Sequence, residues 1–334
     1  MILLKGRVLR VALFLAVSAA MLSVTNAQSP MNEIPLGSGG GGGGAQGFAG
    51  GTIIEGDPGG TSATGTTGPE AAAFDGTYVW VATQFNDSIT RIRASDGLVS
   101  GTFTVGKRPV ALLYAASSLW VANLLSNNVM KVNPATGAIV ATYNVGDGPG
   151  GLAYDGTNIW VANRNSNNVT KLKASTGANL GTFAAGNRPI GVAYAGNNIW
   201  VANNFSNTVT RLSTAGAVLG TYAVGKGPFG VAAEGANVWV TNYFGKTVTK
   251  LRAADGLNLG TFSVGDGAAG IAFDGTSMWV VNNGDSTLMK VSPSSGTVVA
   301  TYETGKGPFS VAIGGAKVWV PNFGSNSVSM TAAN

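Results

Sequence analysis

All seven tryptophans of this 334-residue chain fall on a single period: Trp80, Trp120, Trp160, Trp200, Trp239, Trp279 and Trp319. The intervals are 40, 40, 40, 39, 40 and 40 residues. A repeat near 40 residues built of short apolar segments and Gly-rich turns predicts one four-stranded sheet per repeat. The fold class expected is therefore all-β: a seven-bladed β-propeller of four-stranded antiparallel blades. Hydrophobic residues make up 45% of the chain, enough for a core, and charged residues only 10%, against about 25% in an average soluble domain.

One unit shows how the strands are read. Strand a is Gly151–Tyr154, and Asp155-Gly156 turns the chain into strand b, Asn158–Asn163. Loop Arg164–Asn167 leads to strand c, Asn168–Lys173. Thr176-Gly177 turns the chain again into strand d, Leu180–Ala184, and Gly186–Pro189 opens the next unit. Asp-Gly suits a tight hairpin because Gly accepts positive φ. The single 39-residue interval reflects one residue lost from the c–d turn near Ala215-Gly216.

Columns across the repeats assign roles to the strands. Nine residues before each Trp stand Ala71, Ala111, Gly151, Gly191, Gly230, Gly270 and Ser310, all small, as seven inner strands crowded around an axis require. Strand d carries Thr-Phe or Thr-Tyr in six units, as in Thr182-Phe183 and Thr221-Tyr222. These rings and the Trp column are expected to pack between blades. Strand c carries a basic column: Arg91, Lys131, Lys171, Arg211, Lys250 and Lys290. We expect its stems to cover the blade sides while its charged ends reach water. Asn123, Asn163, Asn203, Asn242, Asn282 and Asn322 close strand b and are expected to bond to nearby backbone.

The last unit has strands a, b and c but no d, so its open edge must be covered. Gly51–Asp57 resembles the d strand Gly260–Asp266. The expectation is a ring closed by an N-terminal strand, with Gly51–Glu55 lying beside Ser327–Met330.

Ahead of the repeats, Lys5, Arg7 and Arg10 precede an apolar run from Val11 to Val24, and Thr25 and Ala27 put small residues at the −3 and −1 positions of a cut after Ala27. This is the layout of a secretory signal peptide, with a run too short for a comfortable membrane span. The expected organisation is signal peptide 1–27, Gly-rich tether 28–50 and propeller 51–334, with no transmembrane segment in the mature chain. Export implies a periplasmic, cell-surface or secreted protein. The cut removes three basic residues, taking 20 basic against 15 acidic to 17 against 15, so a nucleic-acid partner is disfavoured.

Ile159-Trp-Val-Ala-Asn163, Ser206-Asn-Thr-Val209 and Gly225-Lys-Gly-Pro228 resemble the YVTN-repeat β-propellers, with Trp in the Tyr place. That resemblance covers Thr52 to the C-terminus and implies a secreted or surface-associated binding protein. It extends distantly to streptogramin B lyase-like propellers. Those lyases use a His general base with Mg²⁺ at the propeller centre, and this chain contains neither His nor Cys.

Recognition is expected on the face formed by the d–a and b–c loops. The candidate binding residues are Phe85, Arg108, Arg164, Arg188, Phe205, Lys226, Phe229, Tyr243, Phe244, Phe309 and Phe323. Aromatics on loop tips either anchor a partner or fold back as caps over the blades. Glu70, Asp147, Asp266 and Glu303 are candidate acids near that face or its rim, and no motif spacing unites them. The reading is a non-catalytic binding or scaffold protein for a protein or glycan of the cell envelope, with no catalytic residue, metal or cofactor assigned. The alternative is a lyase or hydrolase using carboxylates and a divalent metal in the central channel.

Overall fold

The computed structural model describes residues 29–36 and 67–333. Seven sheets follow one another around an axis, and six of them take all four strands from consecutive chain, from Pro69–Thr104 in blade one to Ala268–Glu303 in blade six. In blade three, Pro149–Tyr154, Asn158–Asn163, Asn168–Lys173 and Asn179–Ala184 pair antiparallel in that order from the inside outward. The seven-bladed propeller read from the Trp period is the observed fold.

Each hydrophobic cluster lies between blades. Trp160, Ala162 and Val169 of blade three pack with Ile199, Val201 and Leu212 of blade four, and the other six clusters repeat the pattern around the ring. All seven Trp side chains are fully buried. Six of them sit on their own blade's strand-d ring at 5.6–5.9 Å between centroids. In five of these six, a Gly in the next blade's c–d turn covers the outer side of that ring. A Cβ on Gly177 would overlap Tyr143, and one on Gly216 would overlap Phe183.

The small column of strand a has the cause expected. A Cβ at Gly151 would overlap the Ile190 carbonyl oxygen, and one at Gly191 would overlap that of Phe229. Neighbouring inner strands approach too closely for a side chain in these blades.

The basic column corrects one expectation. Five of its six charged ends, all but that of Arg211, bond across to the next blade rather than simply reaching into water. Lys131, Lys171, Lys250 and Lys290 each lie 5.1–5.3 Å from their own blade's Trp ring centre. Their ammonium groups donate to Ala174, Thr214, Pro293 and Ala333 carbonyls at 2.7–3.1 Å. Arg91 does the same toward Pro134 and Ala135. These cations clamp consecutive blades, combining cation–π attraction with a charge-assisted hydrogen bond.

The strand-b asparagines are also more than turn residues. They are buried, and their amides bond strand-c side chains: Asn163 Nδ2 donates to Asn168 and Thr170 at 2.8 and 2.9 Å. Asn203 Oδ1 accepts from the Gly186 N–H at 2.9 Å. A Cβ at Gly186 would collide with that same Asn, which ties the strand-b Asn to the Gly that opens the preceding d–a loop.

Ring closure departs from the sequence reading. The edge of Ser327–Ala332 is taken by Asn32–Pro35, paired antiparallel from Asn32 opposite Met330 to Pro35 opposite Ser327. We call this strand β2. It is preceded by β1, Ser29–Pro30, which runs parallel to the outer strand of blade six. Gly51–Glu55, the segment expected there, lies outside the described residues. Ile34 stands opposite Val328, as Phe183 stands opposite Val169. It thus fills the slot that an aromatic fills elsewhere, and blade one's c–d Gly97 covers it. Met31 and Leu36 are 5% and 6% exposed, packed at the blade six–seven and seven–one boundaries. Lys317 completes the ring by donating to the Ala94 carbonyl of blade one at 2.9 Å.

Candidate functional site

The d–a and b–c loops share one face and are stitched together. The N–H of Arg164 donates to the Gly148 carbonyl within blade three, and that of Asn204 to Arg188 in blade four. Between blades, the N–H groups of Arg108, Gly148, Arg188 and Gly227 donate to side chains of Asp87, Asn127, Asn167 and Asn207 at 2.8–2.9 Å. Those four acceptor residues hold positive φ, a conformation that Asn and Asp tolerate better than most. The loops therefore form a preorganised platform.

At its centre opens a cavity of about 180 Å³ on the propeller axis. The residue after each strand-a Pro position lines it in six of seven blades: Glu70, Val110, Gly150, Ile190, Phe229 and Phe309. Gly150 leaves a gap that the Arg164 side chain fills, since a Cβ there would overlap Arg164 Nε.

The mouth has two unlike halves. On the cationic side, Arg164 Nη2 lies 3.9 Å from Glu70 Oε1, with the two side chains 13% and 11% exposed. That separation is an ion pair without a hydrogen bond. Arg164 Nη2 also makes a long contact of 3.4 Å to the Gly150 carbonyl, and its buried Nε has no hydrogen-bond partner. Burial pushes the Glu70 carboxyl above its ordinary value, against the opposing pull of Arg164 and Arg108. Burial likewise lowers the proton affinity of Arg164; Glu70 opposes this, while Arg188 and Arg108 add to it. The guanidinium stays charged throughout. Arg108 Nε donates to Gln84 at 2.6 Å, and Arg188 lies over the Phe205 ring at 4.6 Å.

The other half is aromatic. Phe244, Tyr243, Phe229, Phe309, Phe323 and Phe85 form a continuous chain of ring contacts at 5.2–6.2 Å, from blade five through blade seven to blade one. Tyr243 is fixed by its hydroxyl donating to Asn283 at 2.8 Å. Phe85, Phe205 and Phe244 are 53%, 58% and 64% exposed, so they do not serve as buried blade caps. Tyr243, Phe229, Phe309 and Phe323 are half-buried.

Of the eleven residues singled out from the sequence, Arg164, Phe229 and Phe309 line the cavity, while Phe85, Arg108, Arg188, Phe205, Tyr243, Phe244 and Phe323 stand on the loops around it. Lys226 is exposed on its d–a loop and does not line the cavity. Of the four acids, only Glu70 lines it; Asp266 pairs with Lys246 at 2.9 Å on the rim. The sequence reading missed that Gly150 makes room for Arg164, and that Arg164 then meets Glu70 across two blades. The signal available was the lone Gly in an otherwise mostly bulky column. Among the described residues, no group of three or more His, Cys, Asp or Glu is placed to hold a metal ion.

This architecture defines the class as a seven-bladed propeller with an axial, two-sided mouth. Among solved structures, the chain is similar to hydrazine synthase of Kuenenia stuttgartiensis, with a TM-score of 0.73 and 19% identity over 82% of this chain and 98% of the other. It is also similar to a streptogramin B lyase, with a TM-score of 0.71 and 17% identity over 81% and 95%. A catalytically inactive His-to-Ala variant of virginiamycin B lyase from Staphylococcus aureus with quinupristin gives 0.69 and 16% over 80% and 96%. At such identities the likeness is one of fold. No protein-family model and no curated protein matches the chain.

Proposed function

We propose that the chain is an exported, non-catalytic binding or scaffold propeller that captures a partner of the cell envelope on its d–a and b–c loop face. The observation that carries this reading is the convergence of exposed aromatics and arginines around one rigid axial mouth. Exposed Phe and Tyr with Arg are the residue types that dominate recognition surfaces. The signal-peptide pattern and the resemblance to YVTN-repeat propellers support export and binding.

The test is capture from envelope extract by the mature chain, compared with Phe205→Ala, Phe244→Ala and the double variant. Both rings are largely exposed, so their loss leaves the fold intact. The double variant is expected to retain less than a tenth of the captured partner, since anchor residues are worth about 2 kcal/mol or more each. Thr157→Ala, on the opposite face, is expected to capture as well as the parent. Equal capture by all three variants would refute the assignment of the face.

The fold likeness to lyases keeps a second reading in view, a carboxylate- and metal-dependent lyase or hydrolase. Copurification of a stoichiometric divalent ion with the mature chain would favour it. The absence of any His from the sequence removes the base that the lyase resemblance implies.

A further inference from the structure

We propose that the axial mouth, read as the binding site above, takes a small organic anion: a planar apolar ring bearing a carboxylate. The carboxylate meets Arg164 with Arg108 and Arg188 behind it, and the ring lies against Phe229 and Phe309.

Four observations lead there. First, Arg164 is a mostly buried cation that lacks good acceptors. Its nearest carboxylate oxygen is 3.9 Å away, its carbonyl contact is 3.4 Å, and its Nε is unpartnered. Buried charged donors are ordinarily satisfied, and the guanidinium fork matches a carboxylate bidentately. Second, the charges around it are uneven. Arg108 and Arg188 both act electrostatically on Arg164, and Glu70 is the one acid lining the cavity. An added anion is therefore attracted even while Glu70 is ionised.

Third, the opposite wall is apolar and aromatic. The Phe229 and Phe309 rings are 6.2 Å apart at 32° and both line the cavity. They meet across blade six because Ala269 stands between them in the column. Fourth, size limits the ligand. The cavity holds about 180 Å³, and a protein cavity of about 150 Å³ accommodates a benzene ring. One ring with a short acidic arm fits, whereas a polymer would reach the mouth only with an end or a side group.

The probes are phenylacetate, its neutral analogue phenylacetamide, and acetate, each titrated calorimetrically into the mature full chain. Phenylacetate is expected to bind saturably and at least tenfold more tightly than either analogue, the lower end for a hydrogen bond to a charged group. Arg164→Met is expected to bring phenylacetate down to the level of phenylacetamide. Gly150→Ala is expected to act in the same direction, because the new Cβ displaces the guanidinium from its gap. Phe229→Leu is expected to weaken both ring-bearing probes alike. Glu70→Gln is expected to strengthen phenylacetate binding, since it removes the competing carboxylate.

Equal affinity for phenylacetate and phenylacetamide, or no saturable phenylacetate binding at millimolar concentration, would overturn the proposal. Both comparisons use the unaltered protein, so misfolding of a variant leaves them decisive. If phenylacetate fails while capture still depends on Phe205 and Phe244, the ligand class is wrong and the binding face stands. If phenylacetate binds and capture is independent of those rings, the envelope-partner reading fails instead.

Discussion

A chain beginning at residue 37 is expected to melt about 10 °C below one that begins at Gln28. The figure follows from what β1 and β2 bury. Met31 and Leu36 are almost fully enclosed, and Ile34 packs into the cluster that joins blades seven and one. At about 1.5–3 kcal/mol per buried large side chain, these three contribute on the order of 5 kcal/mol. A domain of this size loses about 2 °C per kcal/mol. The truncation also bares the edge of Ser327–Ala332, so concentration-dependent association is expected as well. A synthetic peptide spanning residues 29–36 is expected to restore the melting temperature in trans. A chain lacking only Gly51–Glu55 is expected to melt with the parent, because Asn32–Pro35 already occupies the edge. A truncated chain as stable as the parent would show that the ring does not depend on this strand.

The second large effect is expected at Trp160. Trp160→Ala opens a cavity between blades three and four and is expected to cost about 3–5 kcal/mol, lowering the melting temperature by about 6–10 °C. Trp160→Phe keeps most of the volume but removes the indole N–H, which donates to Asp155 Oδ2 at 2.7 Å. That variant is expected to lose about 1–2 kcal/mol at neutral pH.

The pH dependence has a defined sign. Partial burial pushes the Asp155 carboxyl up, but hydrogen bonds from the Asn158 side chain, the Trp160 indole and the N–H groups of Asn158 and Thr157 outweigh it and hold the carboxyl below its usual value. Asp274 is held down in the same way, by Trp279, Ser277 and Thr276 against burial. A depressed carboxyl stabilises the fold above its unfolded value, near pH 3.9, and that stabilisation is lost as pH falls through the lower folded value. Thermal melts below about pH 4 are therefore expected to fall less steeply for Trp160→Phe than for the parent. Parallel acid profiles for the two proteins would contradict the role given to the indole bond.

The regular part of the ring was legible in the sequence because it repeats. Seven copies of Trp, small strand-a residues and turn glycines each reveal one packing constraint, and the structure returns those constraints at the expected places. The closing strand was not legible. Met31-Asn-Glu-Ile34 has no Thr-Phe pair; Glu33 and Ile34 take those two places through register alone. Gly51–Asp57 carries a closer likeness to a d strand, yet a short edge strand is selected by which segment can pair and bury its side chains.

The candidate site divides along the same line. Loop residues such as Phe85 and Phe244 stand out against their columns because the strands do not dictate them. The meeting of Arg164 with Glu70 joins two columns and two blades through the gap at Gly150, and no single column records it. The hydrogen-bonded ends of the basic column were hidden for a similar reason, since their acceptors are main-chain carbonyls of the next blade.

The central claim is that one face of the ring does the recognising. It is tested most directly by placing a photocrosslinking phenylalanine analogue at Phe244 in one protein and at Thr157, on the opposite face, in another. Both are then irradiated in envelope extract. A discrete adduct is expected from position 244, suppressed by excess unlabelled protein, and none from position 157. Adducts from position 157 alone, or equally from both positions, would contradict it.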